Sequence, residues 1–300
     1  MSQRLLVVSP VHNEAAHIER VVRGVAEQHR RPDRWVIVDD ASADDTLERL
    51  RAITAGLDFI TILKAPALRA AQRAASDRLT FAAEVHAFNH GLESVDWRSF
   101  THVAKLDGDI ELPPEWYGTL LARMAGEPRL GIAGGQLTET VEGAPRRIPI
   151  PGHHVHGALK LYTIECLLEI GGLRSRLGWD TIDEAYARMG GWSTCSFEDL
   201  SAIHHRPLAS RDGVLRGRAR HGACAYITHQ GPAWVIARAV KVGRARPVGL
   251  GGTAFLYGYL RAAAARTPRV EDPALRRFVR RELRTRVRRA ITPALPGRVR

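Results

Sequence analysis

Two carboxylates split by one glycine, Asp107 and Asp109 in KLDGDIEL, follow an apolar segment, FTHVAKL, that reads as a buried strand. Like charges at such a strand end are either solvated in a turn or face a cation. Carboxylate oxygens are hard ligands suited to Mg2+ or Mn2+. Strand alternation puts both side chains on one side, and Gly108 leaves room for close approach. On its own the Asp-Gly-Asp triplet is more often a solvated loop. Its position after two other acidic strand ends reverses that preference. The first such end is SPVHNE, with Ser9, Pro10, Asn13 and Glu14. The second is DDASADDT, with Asp39, Asp40, Ser42 and Asp44.

Open parallel sheets bind ligands outside the C-terminal ends of their strands. The rim here is acidic. The chain has neither GxGxxG nor GxxxxGK[ST] after its first strand, so backbone amides and a lysine do not supply a phosphate cradle there. A diphosphate at this rim needs a divalent cation to invert the local charge, and that cation would stabilise the diphosphate as a leaving group.

The elements that must position these groups alternate. RLLVVS predicts a first strand, and apolar residues at Ala15, Ile18, Val21, Val22 and Val25 predict a helix with Asn13 as its N-cap. Trp35–Val38 predicts a second strand, followed by a helix near Asp45 with Asp44 as a candidate cap. FITILKAP predicts a third strand, residues 70–93 a helix and THVAKLDGDIEL a fourth strand. This order implies right-handed βαβ units and a parallel sheet. A helix near Pro114 and a strand in GIAGGQLTETV come next. PRRIPIPGHHVHG reads as a loop, ALKLYTIECLLEIGGL as a helix closed by Gly171 and Gly172, and GWDTIDEAYARMGGW as another helix. STCSFEDLSAIHHRP reads as a strand ending on His204 and His205.

Three hundred residues with 45% hydrophobic and 25% charged side chains are ordinary globular composition. The net charge of +12 is concentrated at the end. Residues 261–300 hold thirteen arginines against Glu271, Asp272 and Glu282, leaving +2 for the first 260. Such a tail fits an anionic membrane surface or a solvated arginine-rich helix; nucleic acid is disfavoured as a partner. Cys166, Cys195 and Cys224 show no metal or disulfide spacing and read as reduced thiols. The N-terminus shows no leader pattern, so the expected location is cytoplasmic, with peripheral contact at the inner face of the membrane. PVGLGGTAFLYGYL, 14 residues with four glycines, is too short to span a bilayer and suits its interface.

SPVHNE, VIVDDASADDT, AFNHGL (Asn89, Gly91) and KLDGDIELPPEW, in this order and at these spacings, resemble an inverting family 2 glycosyltransferase. The resemblance runs from about residue 4 to 206. It implies an α/β GT-A fold, a mostly parallel Rossmann-like sheet flanked by helices, with a C-terminal helical extension. The implied catalytic domain is 1–208, with 1–110 as nucleotide-binding half and 111–208 as acceptor half; 209–300 is the basic extension. It also implies a nucleotide-diphospho-sugar donor and a saccharide or lipid-linked acceptor. The activity would be hexosyl transfer with inversion, in cell-surface polysaccharide or glycolipid synthesis. Pro10, Asn13 and Glu14 would line base and ribose, with Asp40 on the base edge and Asp39 beside it. Asp107 would serve nucleotide and metal, and Asp109 would be the more direct metal ligand. A late histidine, His204, would complete the coordination of Mg2+ or Mn2+.

Inversion needs a base for the acceptor hydroxyl proton. In GWDTIDE, Asp180, Asp183 and Glu184 share one helical face. The resemblance puts the base at Asp180, although Trp179 stands where the family has Glu. Asp183 is the second choice, and a helix-capping role fits both residues too. Glu198 and Asp199 in FEDL lack a following helix. His153, His154 and His156 would lie in a loop over the acceptor side. Arg216, Arg218 and Arg220 could meet phosphate groups. The alternative function is a nucleotide-sugar-binding protein without turnover, with the tail recruiting membrane or nucleic acid. A sugar-nucleotide pyrophosphorylase would need a glycine-rich basic loop in place of SPVHNE.

Overall fold

The structure, a computed structural model, describes residues 3–66, 81–141, 144–206, 213–244 and 248–291. The chain divides into two compact units, Met1–Pro207 and Leu208–Arg300.

The first unit is α/β. β1 (Leu5–Val11) is buried at every position, as a continuous apolar run becomes when helices cover both faces of a parallel sheet. α1 (Ile18–Ala26) returns along it and buries Ile18, Val21, Val22 and Val25. β2 (Arg34–Asp39), α2 (Thr46–Ile53), β3 (Ile60–Lys64), α3 (Ala83–Glu93) and β4 (His102–Leu106) complete the first half. β5 (Ile110–Glu111), α4 (Trp116–Gly126), β6 (Leu130–Val141), β7 (Ala144–Arg147) and β8 (Leu159–Thr163) follow. α5 (Ile164–Glu169), α6 (Trp179–Met189) and β9 (Ser193–His204) close the unit.

The nine-stranded sheet runs β3-β2-β1-β4-β8-β6-β9-β5, with β7 on β6. β1 to β4 are mutually parallel, as are β6 and β9, while β8 lies antiparallel between β4 and β6. The parallel half thus carries the C-terminal ends of β1, β2 and β4 to one edge. In the core, Trp35 Nε1 donates to Ser9 Oγ at 2.9 Å.

Several local expectations change. Residues 159–163 form a strand rather than the start of a helix; LKLYT alternates under the demands of β4 and β6 on either side. APRR, read as loop, pairs with β6 as β7. The KLDGDIEL strand breaks at its glycine into β4 and β5. Asn13 does not cap α1: His17 holds that position, and Asn13 turns the chain at φ 56°. Of the helix expected over 70–93, Ala83–Glu93 is helical, and residues 67–80 lie outside the described residues.

The second unit is helical: α7 (Gly213–Ile227), α8 (Pro232–Gly243), α9 (Leu250–Ala264) and α10 (Pro273–Ile291). α7 and α9 meet backbone to backbone. A Cβ on Gly258 would fall 1.8 Å from the Ala219 carbonyl, and one on Gly222 1.9 Å from that of Phe255. α10 buries Leu275, Val279 and Leu283, one residue per turn.

α3 seats on the sheet through Gly91, where a Cβ would lie 2.6 Å from Val38 Cγ2 and 2.8 Å from Val8 Cγ1. Those neighbours are β-branched, buried and held by the sheet, so they have little freedom to yield. Gly91→Val should therefore destabilise the protein by about 2 kcal/mol or more, read as a lowered urea midpoint at unchanged slope.

Candidate active site

The loops after β1 and β2 interlock through short polar contacts. Asn13 N donates to Ser42 Oγ (3.0 Å), and Ala43 N to Asn13 Oδ1 (2.8 Å). Glu14 N donates to Thr46 Oγ1 (2.7 Å), and Ala15 N to Asp44 Oδ2 (3.2 Å). Asn is among the few residues that accept a left-handed backbone readily, so its place at this turn is a matter of conformation as well as contact. Asp39 and Asp40 are buried at the end of β2. Asp39 Oδ1 accepts from Ser42 N at 3.3 Å. Asp44 Oδ1 accepts from Thr46 N at 3.1 Å. Pro10 lies within β1, opposite Val38 of β2.

The Asp-Gly-Asp turn docks on the first of these loops. A Cβ on Gly108 would meet Val11 Cγ1 at 2.8 Å and Glu14 Cγ at 3.0 Å. Asp107 ion-pairs with Lys105 and keeps 31% of its side chain exposed. Burial raises its pKa, the Lys105 ammonium opposes this, and Asp109 adds to it. Asp109 is more enclosed, with Oδ2 3.4 Å from His204 Nε2. Burial would raise its pKa too, but His204, Arg206 and His17 outweigh burial and hold it low. The two carboxylates are thus shifted in opposite directions. Arg206 ties the strand end after β9 to the first loop, donating to Asn13 O (2.8 Å) and Glu14 Oε2 (2.7 Å).

His204 Nδ1 is buried without a hydrogen-bond partner. Its other nitrogen faces Asp109, so carboxylate and imidazole stand together as a two-residue donor set. Among the described residues, no three His, Cys, Asp or Glu side chains gather as a closed metal site. Mg2+ in particular is commonly held by one or two carboxylates plus substrate phosphates. Asp109 and His204 fit that open pattern, with Asp107 beside them.

Beneath the rim lie two fully buried lysines, paired across β4 and β8. Lys105 Nζ donates to Gly157 O at 3.0 Å and stands 5.1 Å from the centre of the Trp179 ring. Lys160 Nζ stands 5.5 Å from the same centre. It contacts both Asp183 oxygens at 2.9 Å, Glu184 Oε1 at 3.1 Å and the Asp180 carbonyl at 2.6 Å. Burial works against the Lys160 charge, but Asp183, Glu184 and Asp180 outweigh it and raise its pKa. Trp179 Nε1 donates to Glu84 Oε1 at 3.0 Å.

This network separates the carboxylates of GWDTIDE. Asp183 is 2% exposed; it holds Lys160, and Oδ2 also accepts from Tyr162 OH at 2.5 Å. That occupation removes Asp183 from reach of a second molecule, against its place as second choice for the base. Glu184 is buried as well, accepting from Val155 N (2.8 Å) and facing His154 Nδ1 (3.0 Å). Asp180, in the first turn of α6, is only half-buried, and its carboxylate meets no hydrogen-bond donor among the described residues. Gly157 packs against it; a Cβ there would be 3.3 Å from Asp180 Cβ. His156 lies within electrostatic reach of both Asp180 and His204, which ties the Asp180 side of the site to the Asp109 side.

Sequence reasoning missed Lys105, Lys160, Trp179, Tyr162 and Arg206. A lysine inside each of two apolar strand runs, VAKL and ALKLY, was the available signal, since lysine is almost never fully buried unless paired.

Lys160→Met would leave Asp183 and Glu184 buried beside no ammonium group, at a cost of about 3–5 kcal/mol. Asp180→Asn should stay within about 0.5 kcal/mol of wild type. Chemical denaturation of the two variants checks the contrast. Burial, with His154 and His204 nearby, lowers the His156 pKa to about 4. A histidine depressed in the folded state contributes stability above its unfolded pKa, and that contribution falls away as pH drops toward the folded pKa. Between pH 7 and pH 5 this amounts to about 2 kcal/mol. His156→Asn should flatten the pH dependence of the urea midpoint by that amount.

Several solved structures share the fold. One is the mannosyltransferase PcManGT from Pyrobaculum calidifontis, in complex with GDP-Man and Mn2+. It is 20% identical, with 97% of this chain and 81% of that one covered, at a TM-score of 0.56. Another is S. aureus TarS 1-349 in complex with UDP-GlcNAc: 14% identity, 90% and 74% covered, TM-score 0.51. GalNAc-T7 with UDP, GalNAc and Mn2+ gives 13% identity and TM-score 0.56; the match covers 86% of this chain but 54% of that one. No curated protein matches in sequence. Residues 6–79 match Glycosyl transferase family 2, on a chain whose fold is that of the GT-A glycosyltransferases.

Proposed function

We propose that the chain transfers a hexosyl group, with inversion, from a nucleotide-diphospho-sugar to a hydroxyl of a saccharide or lipid-linked acceptor. The observation that carries this is the division of labour among the site carboxylates. Asp183 and Glu184 hold Lys160, whereas the Asp180 carboxylate accepts no hydrogen bond among the described residues and Asp109 faces His204. The solved relatives bound to GDP-Man and to UDP-GlcNAc support a nucleotide-sugar donor.

In this reading the interlocked loops of Asn13, Glu14, Asp39 and Asp40, with Pro10 behind them, receive base and ribose. Asp109 and His204, with Asp107 beside them, would hold Mg2+ or Mn2+. Mn2+ accompanies two of the solved relatives. Such an ion, when bound, offsets the diphosphate charge and improves it as a leaving group. Asp180 accepts the acceptor hydroxyl proton as the oxygen bonds to sugar C1. The C1–O bond to the diphosphate breaks, and its electron pair leaves with the nucleotide. The Lys160 contact to the Asp180 carbonyl fixes where this carboxylate stands.

Calorimetry with UDP and GDP, with and without Mn2+, followed by transfer assays over a panel of donors, tests the proposal. Asp109→Asn should abolish metal-dependent nucleotide binding. Asp180→Asn should keep that binding and lower transfer by roughly 10²–10⁴-fold, the range of a lost general base. Near-normal turnover in Asp180→Asn would remove it as the base. Metal-dependent binding without turnover on any donor would favour a sugar-nucleotide-binding protein instead.

A further inference from the structure

We infer that the α8–α9 hairpin of the second unit is a docking face for an anionic lipid bilayer. Six of the ten large apolar side chains left exposed among the described residues lie on this hairpin. Ile236 (60% exposed) and Val240 are one turn apart on α8, Val248 (73%) and Leu250 follow at the turn, and Tyr257 and Leu260 (63%) lie on α9. Isolated surface leucines are ordinary, but a concentration of aliphatic groups on one hairpin marks an interaction surface.

The charge around these groups selects the partner. Residues 213–264 contain no Asp or Glu, while the hairpin itself carries Arg238, Lys241, Arg244 and Arg261. A segment both apolar and wholly cationic at its surface complements negatively charged headgroups over an acyl layer. A second copy of the same face would bring like charges together. Nucleic acid would meet the cations but leave the aliphatic groups exposed to water.

The sequence pattern also offered the arginine-rich tail as an element for an anionic surface or as a solvated helix. In the structure α10 turns its apolar residues inward, burying Leu275, Val279 and Leu283, and presents Arg276, Arg277, Arg281, Arg284 and Arg288 outward. That helix contributes long-range attraction; insertion belongs to the hairpin. Among the described residues no helix is long and apolar enough to cross a membrane, so the hairpin lies in the interface rather than through it.

Co-sedimentation of the full chain with vesicles tests this without any donor or metal, so its outcome is separate from that of the transfer reaction. Wild type should bind vesicles of 30% phosphatidylglycerol in phosphatidylcholine and not pure phosphatidylcholine. Ile236→Glu/Leu260→Glu should weaken that binding by roughly tenfold or more, as expected when insertion of apolar side chains is lost. Both positions are exposed, and an unchanged circular dichroism melt verifies the fold; Val248→Glu gives the same readout should the double variant unfold. The inference is overturned if wild type ignores the anionic vesicles. It is also overturned if the variants bind them as wild type does, or if they instead dissociate a wild-type dimer while vesicle binding stays unchanged.

Discussion

Two ammonium groups buried beside one indole organise the first unit. An unpaired lysine in a protein interior is strongly disfavoured, and breaking a buried pair costs more than making it gains. Lys105 and Lys160 are therefore tenable only with their carboxylate partners. Trp179 offers its ring to both, Asp107 takes one, and Asp183 with Glu184 takes the other. Their opposed positions on β4 and β8 fix the spacing. The start of α6, the Gly157 loop and the end of β4 are thereby joined. A ring over a cation contributes about 0.5–2 kcal/mol, small beside the cost of losing either carboxylate partner. Charge compensation holds the arrangement, and the ring orients it.

That arrangement explains why similar carboxylates have different fates. Asp183 and Glu184 are one helical turn deeper than Asp180, and the charge they carry serves Lys160. Asp180 accepts from the same lysine through its backbone carbonyl, and its carboxylate acts on it only through charge. Its backbone is anchored while its acid group accepts no hydrogen bond among the described residues, the combination the proposed base role needs. Asp107 and Asp109 divide in a parallel way, one facing a lysine and the other a histidine.

Much of the parallel half was legible in sequence because apolar runs, helical spacing and acidic strand ends are local signals. Of the five apolar positions that predicted α1, Ile18, Val21, Val22 and Val25 lie on it and are buried, while Ala15 precedes it. The misses came from partners distant in sequence. LKLYT has enough helical character to read as a helix, and only β4 and β6 make it a strand. Asn13 has the chemistry of a cap, but its side chain is spent on Ala43 thirty residues away. Asp180 and Asp183 could not be ranked without Lys160 and Tyr162, which lie on that misread strand. On α10 the arginines were plain, but which side its valines and leucines face is a property of packing.

Gly108 carries a consequence for motion. With Val11 and Glu14 pressed against its α-carbon, and with Arg206 bonded to Asn13 and Glu14 from the far end of the sheet, the loop after β1 and the acidic turn are wedged into a single body. Relative sliding of these parts would break several contacts at once. A ligand arriving at this edge meets a receptor whose ordering entropy was settled during folding, so less of its interaction energy is lost to arranging the site. Adjustment to differently shaped ligands must then come from the partners that complete the edge, and the edge itself acts as a fixed gauge.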